Sequence, residues 1–472
     1  MRSAVLTALI IATALFMENM DGTVISTSLP AIASDLHQDP IVLKLALTSY
    51  LLTLAVFIPA SGWVADRFGA RTVFCGAIVV FTLGSILCGA STSLATLIGA
   101  RVFQGLGGAM MVPVGRLVLL RSIAKSDLVS AMAFFSVPAL VGPIAGPPLG
   151  GFITTYFHWR WIFWINVPIG VLGVALTLKF IPNLREEAAP RFDFKGFALS
   201  GIGLFSLISA MSVTGRGIAP FWIIAALAGI GAGSLALYVR HARGHDDAIL
   251  DLKLLGIPTF FAGVAGGLLF RIGVAALPFL LPLLLQIGFD LTPFESGSLT
   301  FAAAAGSLMM KFSATTALRW FGFRQALIVM GSISGVFLGA CALFTASTPH
   351  WLIFLVLLAG GFFRSLVFTS LNALSYADID PPRMSRATSL ASVSQQTSGA
   401  VGVALAAICV ETIQLGFGDS ELQARDLSLA FVLVAIVSSL SVIVFAHLKP
   451  DAGAAVSGKR APRAHAQPAA AE

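Results

Sequence analysis

The sequence predicts an all-α polytopic membrane protein, and three observations carry that prediction. Only 11% of the 472 residues are charged, against roughly a quarter in a soluble domain. Hydrophobic residues make up 57% of the chain and the mean hydropathy is +0.92. Apolar runs of about 20 residues, long enough to cross a bilayer as a helix, recur along the chain. Backbone groups in lipid must be satisfied within the segment itself, so these runs read as helices. The 46 glycines and 22 prolines fit this reading, because both are commoner in membrane helices than in soluble ones.

Fourteen spans are expected, near 5–30, 42–64, 72–91, 94–120, 128–156, 161–182, 195–214, 219–240, 258–286, 294–317, 323–345, 350–374, 387–411 and 427–447. The first begins like a signal peptide, but Glu18 and Asp21 interrupt it with no small-residue cleavage pattern before them, so an uncleaved span is expected. Cys75, Cys88, Cys341 and Cys409 each lie in an apolar run and read as packing residues without a disulfide framework. With the N-terminus in the cytoplasm, basic residues favour the cytoplasmic side by about five to one. Arg67, Arg71, Arg319 and Arg324 are among those inside, and only Lys44, Arg160, Arg216 and Arg425 fall outside. Both termini are then cytoplasmic. The net charge of +7 sits in short connectors and forms no continuous basic face, which argues against a nucleic-acid partner.

The segment Phe68-Gly69-Ala70-Arg71 after span two is echoed by Phe321-Gly322-Phe323-Arg324 after span ten. Two equivalent halves with a site between them are a common transporter plan. Residues 1–182 therefore read as an N-terminal six-helix bundle and 250–447 as a C-terminal one. Residues 183–249 read as a linker carrying two inserted membrane helices, and the Ala- and Pro-rich 448–472 as a disordered cytoplasmic tail.

The segment Gly62-Trp63-Val64-Ala65-Asp66-Arg67-Phe68-Gly69-Ala70-Arg71 resembles the signature loop of the major facilitator superfamily. Four further segments resemble its fourteen-span drug:proton antiporter branch, the EmrB/QacA type: Asp21–Pro30, Arg101–Gly108, Gly142–Gly151 and Trp159–Gly170. The surroundings of Arg271 and Gln286 are similar to those in MdtD-type members. The resemblance implies a two-bundle fold with two inserted helices, alternating access and proton-coupled export. It also implies that Gly62, Asp66, Arg67, Gly69 and Arg71 form a conformational latch between spans two and eleven. Positive-inside charge alone explains the arginines but not Asp66, and glycine at 62 and 69 would allow a tight turn and close approach.

Gly142, Gly146 and Gly150 recur every fourth residue and so share a helix face. Small-residue packing explains them. The resemblance adds an antiporter-specific bend and seal, with Pro143, Pro147 and Gly151 part of the motif, and no direct substrate chemistry is expected there. Trp159, Trp161 and Trp164 read as an aromatic interface belt.

Ionisable residues inside lipid cost on the order of 3 kcal/mol or more and are functional candidates by default. Glu18 and Asp21 lie in span one, Arg101 and Arg116 in span four, Arg271 in span nine, Lys311 in span ten and Arg364 in span twelve. At ~1.5 Å per residue, Asp21 and Arg101 differ in depth by only about 3 Å, so an ion pair or shared hydrogen-bond network is geometrically open to them. Glu18 lies one turn from Asp21 on the same face. Two close buried carboxylates are suited to taking up and releasing protons, which makes Asp21, Glu18 and Arg101 the proton-coupling candidates. Arg271, Arg364, Gln104, Gln286 and Gln395 are the substrate candidates. Arg271 and Arg364 have no acid at similar depth in their half, which points to an anionic substrate; the bland reading is that they neutralise the span-one acids. Lys311 and Arg116 are shallower and read as snorkelling or structural.

No His/Cys/carboxylate cluster has metal-ligand spacing, and no nucleophile motif or phosphate loop stands out. A metal site, a cofactor and an enzymatic activity are therefore not expected, and the proton gradient is the expected energy source. The expected function is export of a small molecule, drug-like or an organic anion, by a monomer in the bacterial inner membrane, with any periplasmic adaptor left open. Uptake on the same fold is the first alternative, and a non-transporting sensor or membrane enzyme the second.

Overall fold

The computed structural model describes residues 2–122, 128–181, 192–215, 218–245, 248–380, 383–418 and 421–453, with backbone alone at 2–6, 120–122, 128–140, 315 and 385. Every regular element among them is helical. Helices α1 (Arg2–Asp35), α2 (Lys44–Phe57), α3 (Ser61–Phe68), α4 (Ala70–Gly89), α5 (Leu94–Ser122), α6 (Leu128–Tyr156), α7 (Trp161–Trp164) and α8 (Asn166–Phe180) build the first bundle. The inserted pair is α9 (Phe194–Val213) and α10 (Phe221–Gly244). The second bundle comprises α11 (Pro258–Phe261), α12 (Gly267–Ala275), α13 (Leu277–Leu283), α14 (Pro293–Ala340), α15 (His350–Ser375), α16 (Met384–Phe417) and α17 (Ala424–Ala446).

Twelve helical stretches among the described residues are long and apolar enough to cross a membrane. The 29-residue α6 and the part of α14 before Gly322 complete the fourteen crossings that the sequence predicts. At 48 residues α14 would extend about 72 Å, more than twice the ~30 Å of hydrocarbon, so it must turn back on itself. It does so at one residue: Gly322 has φ 71° and ψ 167°, a region open essentially to glycine alone. The connector expected at 318–322 is thus a single-residue break.

Gly69 makes the equivalent break between α3 and α4, at φ 91° and ψ 129°. The repeat extends to side chains two residues further on. Arg71 donates to the carbonyl of Ile181 just past α8 (3.2 Å), and Arg324 donates to the carbonyl of Ala446 at the end of α17 (3.1 Å). Each arginine ties its glycine turn to the last helix of its own bundle, satisfying a carbonyl that a helix terminus leaves open.

Two segments differ from their expected form. α1 continues through Pro30 to Asp35, because Leu29, Ile32 and Ala33 are fully buried and their packing outweighs one lost hydrogen bond. Span nine is interrupted by π-helical turns at Ala262–Gly266 and Leu284–Gly288. α14 starts as its sequence dictates: the Thr292 hydroxyl accepts from the Glu295 N–H, the Glu295 carboxylate accepts from the Thr292 N–H, and Pro293 occupies the first helical position.

The apolar core shows how the bundles meet. Near the face carrying the Gly69 and Gly322 turns there are separate cores, one around Ile11, Phe74, Phe81 and Val114 and one around Phe270, Phe323, Leu371 and Phe445. Near the opposite face a single core runs through both bundles, from Val24, Leu29 and Phe163 to Leu281, Leu299, Val403 and Phe431. The bundles are closed together on that opposite face. The inserted pair lies against the seam, where Leu52 of α2, Ile208 of α9 and Ala400 of α16 share one cluster.

Gly69→Ala and Gly322→Ala are each expected to destabilise the protein by about 1–3 kcal/mol, read as a lowered melting temperature in detergent. Gly62→Ala is expected to be nearly neutral, because a Cβ there meets nothing within 4 Å. Equal losses at positions 62 and 69 would contradict the turn geometry.

Candidate functional site

Among the described residues, one polar centre lies on the first helix and another at the seam between the bundles. The first is built around Asp21. Glycines let α5 approach α4 closely: a Cβ at Gly84 would strike the backbone of Gln104, and one at Gly107 would strike the backbone of Phe81 and Ala77. This approach carries Arg101 and Gln104 into the bundle, where their exposures are 1% and 0%. Arg101 Nη1 donates to Asp21 Oδ2 (2.6 Å) and to Gln104 Oε1 (2.6 Å), and its Nε donates to the carbonyl of Ala46 (3.2 Å). Gln104 Nε2 donates to Asp21 Oδ1 (2.9 Å) and to the Ser85 hydroxyl (2.8 Å). Asn166 Nδ2, at the start of α8, donates to the same Asp21 oxygen (3.0 Å). The Arg101 guanidinium also stacks 4.2 Å from the centroid of Tyr50. Both oxygens of Asp21 are therefore engaged by donors from α5 and α8.

Glu18 stands one turn away on α1 in a different condition. Its Oε2 is shut off from solvent and has no hydrogen-bond partner among the described residues. The Tyr50 hydroxyl is likewise buried without one.

The second centre is a cavity of about 580 Å³ between the bundles. The first bundle contributes Thr23 and Ser26 of α1 and Pro143 and Pro147 of α6; the second contributes Pro278, Lys311, Arg364, Phe368 and Gln395. Lys311 Nζ donates to the Thr369 hydroxyl (2.9 Å). Arg364 makes no hydrogen bond or ion pair among the described residues. Arg271, 8% exposed, lies behind the cavity wall with its guanidinium 6.0 Å from the ring of Phe368. Its Nε is buried without a partner.

A two-bundle helical chain with a cavity at the seam and a charged network on its first helix invites comparison with known transporters. The sequence profile of the Major Facilitator Superfamily matches residues 11–403, with a further match over 264–470. The chain belongs to the Major Facilitator Superfamily. As a major facilitator it is a multi-pass membrane transporter of small molecules, not an enzyme. It is 37% identical over 453 residues to MdtD of Cronobacter sakazakii, named as a multidrug resistance protein, with 94% of each chain covered. MdtD of Salmonella heidelberg is 38% identical over 447 residues, again with 94% of each covered. Among solved structures, the fold resembles the POT family transporter PepTSo, with a TM-score of 0.66 and 16% identity, over 93% of this chain and 97% of that one. It also resembles a bacterial homologue of the lysosomal transporter Spinster in an inward-facing, occupied conformation, with a TM-score of 0.64 and 14% identity, over 93% and 95%.

Several residues of this major facilitator lie elsewhere than the sequence led one to expect. Gln104 was expected at the substrate, but all its polar atoms serve the Asp21 network. Gln286 donates to the carbonyl of Thr27 (2.9 Å), so it ties span nine to α1 away from the cavity. Gln395 and Arg364 do line the cavity, and Arg271 stands behind it. Lys311, expected to snorkel, lines the cavity as well. The glycine face of α6 packs on α1: a Cβ at Gly142, Gly146 or Gly150 would run into Asn19, Thr23 or Val24. Gly151 meets Pro293 and Phe294 of α14. No direct substrate chemistry was expected of that motif; its Pro143 and Pro147 contribute apolar surface to the cavity wall, on the face beside the glycines.

In the signature loop, Gly69 makes the turn and Arg71 the carbonyl contact described above. Asp66 is half-buried, Arg67 is exposed, and Gly62 faces open space. Their helix, α3, follows α2, which packs along α16, the thirteenth crossing; span eleven at 323–345 lies in α14. Trp159 does not belong to an interface belt: it is buried and donates from Nε1 to Asp35 (3.0 Å). Trp164 packs its indole on Gly89, and Trp161 alone of the three is largely exposed.

The sequence reading missed Ser85, Asn166 and Tyr50 around Asp21. Asn166 lay within a motif already singled out, and a lone amide inside an apolar run was the available signal. Arg101→Ala is expected to cost about 3–5 kcal/mol, because it leaves the Asp21 charge buried without its ion-pair partner. Asp21→Asn combined with Arg101→Gln should recover much of that loss in detergent melting experiments, whereas simple addition of the two effects would contradict the pairing.

Proposed function

We propose that this major facilitator is a proton-coupled exporter of small organic anions across the bacterial inner membrane, with both termini in the cytoplasm. The observation that carries the substrate class is the unpaired cationic wall of the cavity. Arg364 and Lys311 line it, Arg271 stands behind Phe368, and no carboxylate lines it among the described residues. A buried guanidinium without a counter-ion is costly, and an anionic ligand would relieve that cost. The alternative neutralisation by the acids of α1 is disfavoured, because Asp21 is already committed to Arg101, Gln104 and Asn166 and Glu18 does not line the cavity.

The same accounting divides the roles of the two acids. Asp21, held by charged and neutral donors at both oxygens, acts as a fixed charge that orients the network. Glu18, with a buried oxygen that finds no donor, carries the exchangeable proton. Basic residues favour placing the Gly69 and Gly322 turns in the cytoplasm, so the closed face is the outer one and the protein is poised for loading from inside. The cycle then runs from cytoplasmic loading to outward opening, protonation of Glu18, release and return. The proton gradient drives it, and no cofactor takes part. The multidrug-resistance name carried by the MdtD relatives supports export, as does the glycine face of α6.

Transport by purified protein in liposomes under an imposed pH gradient tests this reading. Organic carboxylates are expected to be transported, and Arg364→Gln should raise their KM by roughly tenfold or more, the loss of a charged contact worth about 1.4 kcal/mol. Transport of lipophilic cations with no organic anions would overturn the substrate class. Glu18→Gln should abolish proton-driven flux while leaving substrate counterflow intact; unchanged proton-driven flux would remove Glu18 from the role. Direction-resolved flux in inverted vesicles separates export from uptake.

A further inference from the structure

Lys44 and Glu411 form an ion pair that takes no part in either polar centre. Lys44 Nζ lies 3.2 Å from Glu411 Oε1, and the two side chains are 0% and 5% exposed. Lys44 opens α2 in the first bundle, and Glu411 lies in the last two turns of α16 in the second. The pair therefore joins the bundles on the face where their apolar core is continuous.

A third element completes the contact. Lys44 Nζ also donates to the carbonyl of Thr214 (3.0 Å), the residue that ends α9. The next residue, Gly215, has φ 93°, and a Cβ there would run into the Glu411 carboxylate. Both the backbone angle and the space call for glycine. The turn that leaves α9 is thus fitted to both members of the pair, and α9 itself lies along the seam between α2 and α16 through Ile208.

We propose that Lys44, Glu411 and the Thr214–Gly215 turn form a three-part clasp that holds the two bundles shut on the outer face, with the inserted helix pair supplying the third part. The clasp rests on the alternating-access reading given above. Its physical logic is that of any buried ion pair. Removing one member takes from the other buried charge its direct counter-ion, which is unfavourable, whereas replacing both by apolar groups is nearly neutral. A stranded charge is relieved when water enters, and on this face water enters by opening the bundles. This gives the inserted pair a function in the transport cycle: its turn shields the ion pair from solvent and sets how readily the outer face opens.

The test uses a single reporter cysteine, Thr300→Cys, in the cavity wall of the full-length protein, with Cys75, Cys88, Cys341 and Cys409 replaced by alanine. Its rate of labelling by a membrane-impermeant maleimide is measured from outside in intact cells and from inside in inverted vesicles. Lys44→Met and Glu411→Met are each expected to raise outside labelling by roughly tenfold, and the double variant to return it close to the starting rate. Gly215→Ala, which keeps both charges, should also raise it. Unchanged outside labelling in Gly215→Ala and in the single variants would overturn the clasp, as would a double variant whose effects merely add. Should the single variants fail to fold, Gly215→Ala and the double variant still decide the matter. If the sidedness of all labelling is reversed while the ratios hold, the clasp stands and the proposed orientation falls.

Discussion

A guanidinium held out of water inside a membrane bundle has to be neutralised where it stands, and Arg101 imposes that demand on the first bundle. Its charge is 1% exposed, too deep for its side chain to reach solvent. Asp21 supplies the counter-charge, Gln104 and Asn166 satisfy the remaining lone pairs, and the Ala46 carbonyl takes the Nε proton. Each partner comes from a different helix, so the network also specifies how α1, α2, α5 and α8 are arranged. The glycines at 84 and 107 are the sequence's provision for it, because only their absent side chains let the backbones approach closely enough.

Among the described residues, the second bundle shows no such closure around Arg271 and Arg364. Arg271 and Arg364 lie beside the seam without hydrogen-bonded partners among the described residues, although the glycine turns and the Arg71 and Arg324 contacts repeat between the bundles. The scaffold is therefore nearly symmetric while the electrostatics are not. The first half compensates Arg101 internally, and the second leaves Arg364 and Lys311 facing a cavity. In the function proposed above, this asymmetry gives proton handling to the first bundle and an anionic solute to the second. The apolar core is divided near the turn face and continuous near the opposite one, where the glycine face of α6, the Gln286 contact and the Lys44–Glu411 pair all cross or border the seam.

Much of this was legible in advance. Hydropathy identified the helices. The helical rise placed Asp21 and Arg101 at one depth, where they do meet. Other placements went astray for a common reason. Gln104 and Gln395 are both amides on bundle helices, yet one serves the Asp21 network and the other the cavity. Trp159 looked like a membrane-interface residue until Asp35, carried on a helix that runs past Pro30, came within reach of its indole. Lys44 read as a connector charge and Glu411 fell at the very end of a predicted span, so neither was paired with the other across 367 positions.

By itself the sequence determined the membrane-spanning character, the order of the helices, the Gly69 turn and the shared level of Asp21 and Arg101. These follow from composition, from the fixed rise of a helix per residue and from backbone angles open only to glycine, all of which are local properties. Only the tertiary structure decided which face each polar side chain presents, which distant helix it meets and which bundle face is closed. Those depend on helix rotation and on contacts between small residues far apart in the chain, and no local rule fixes either.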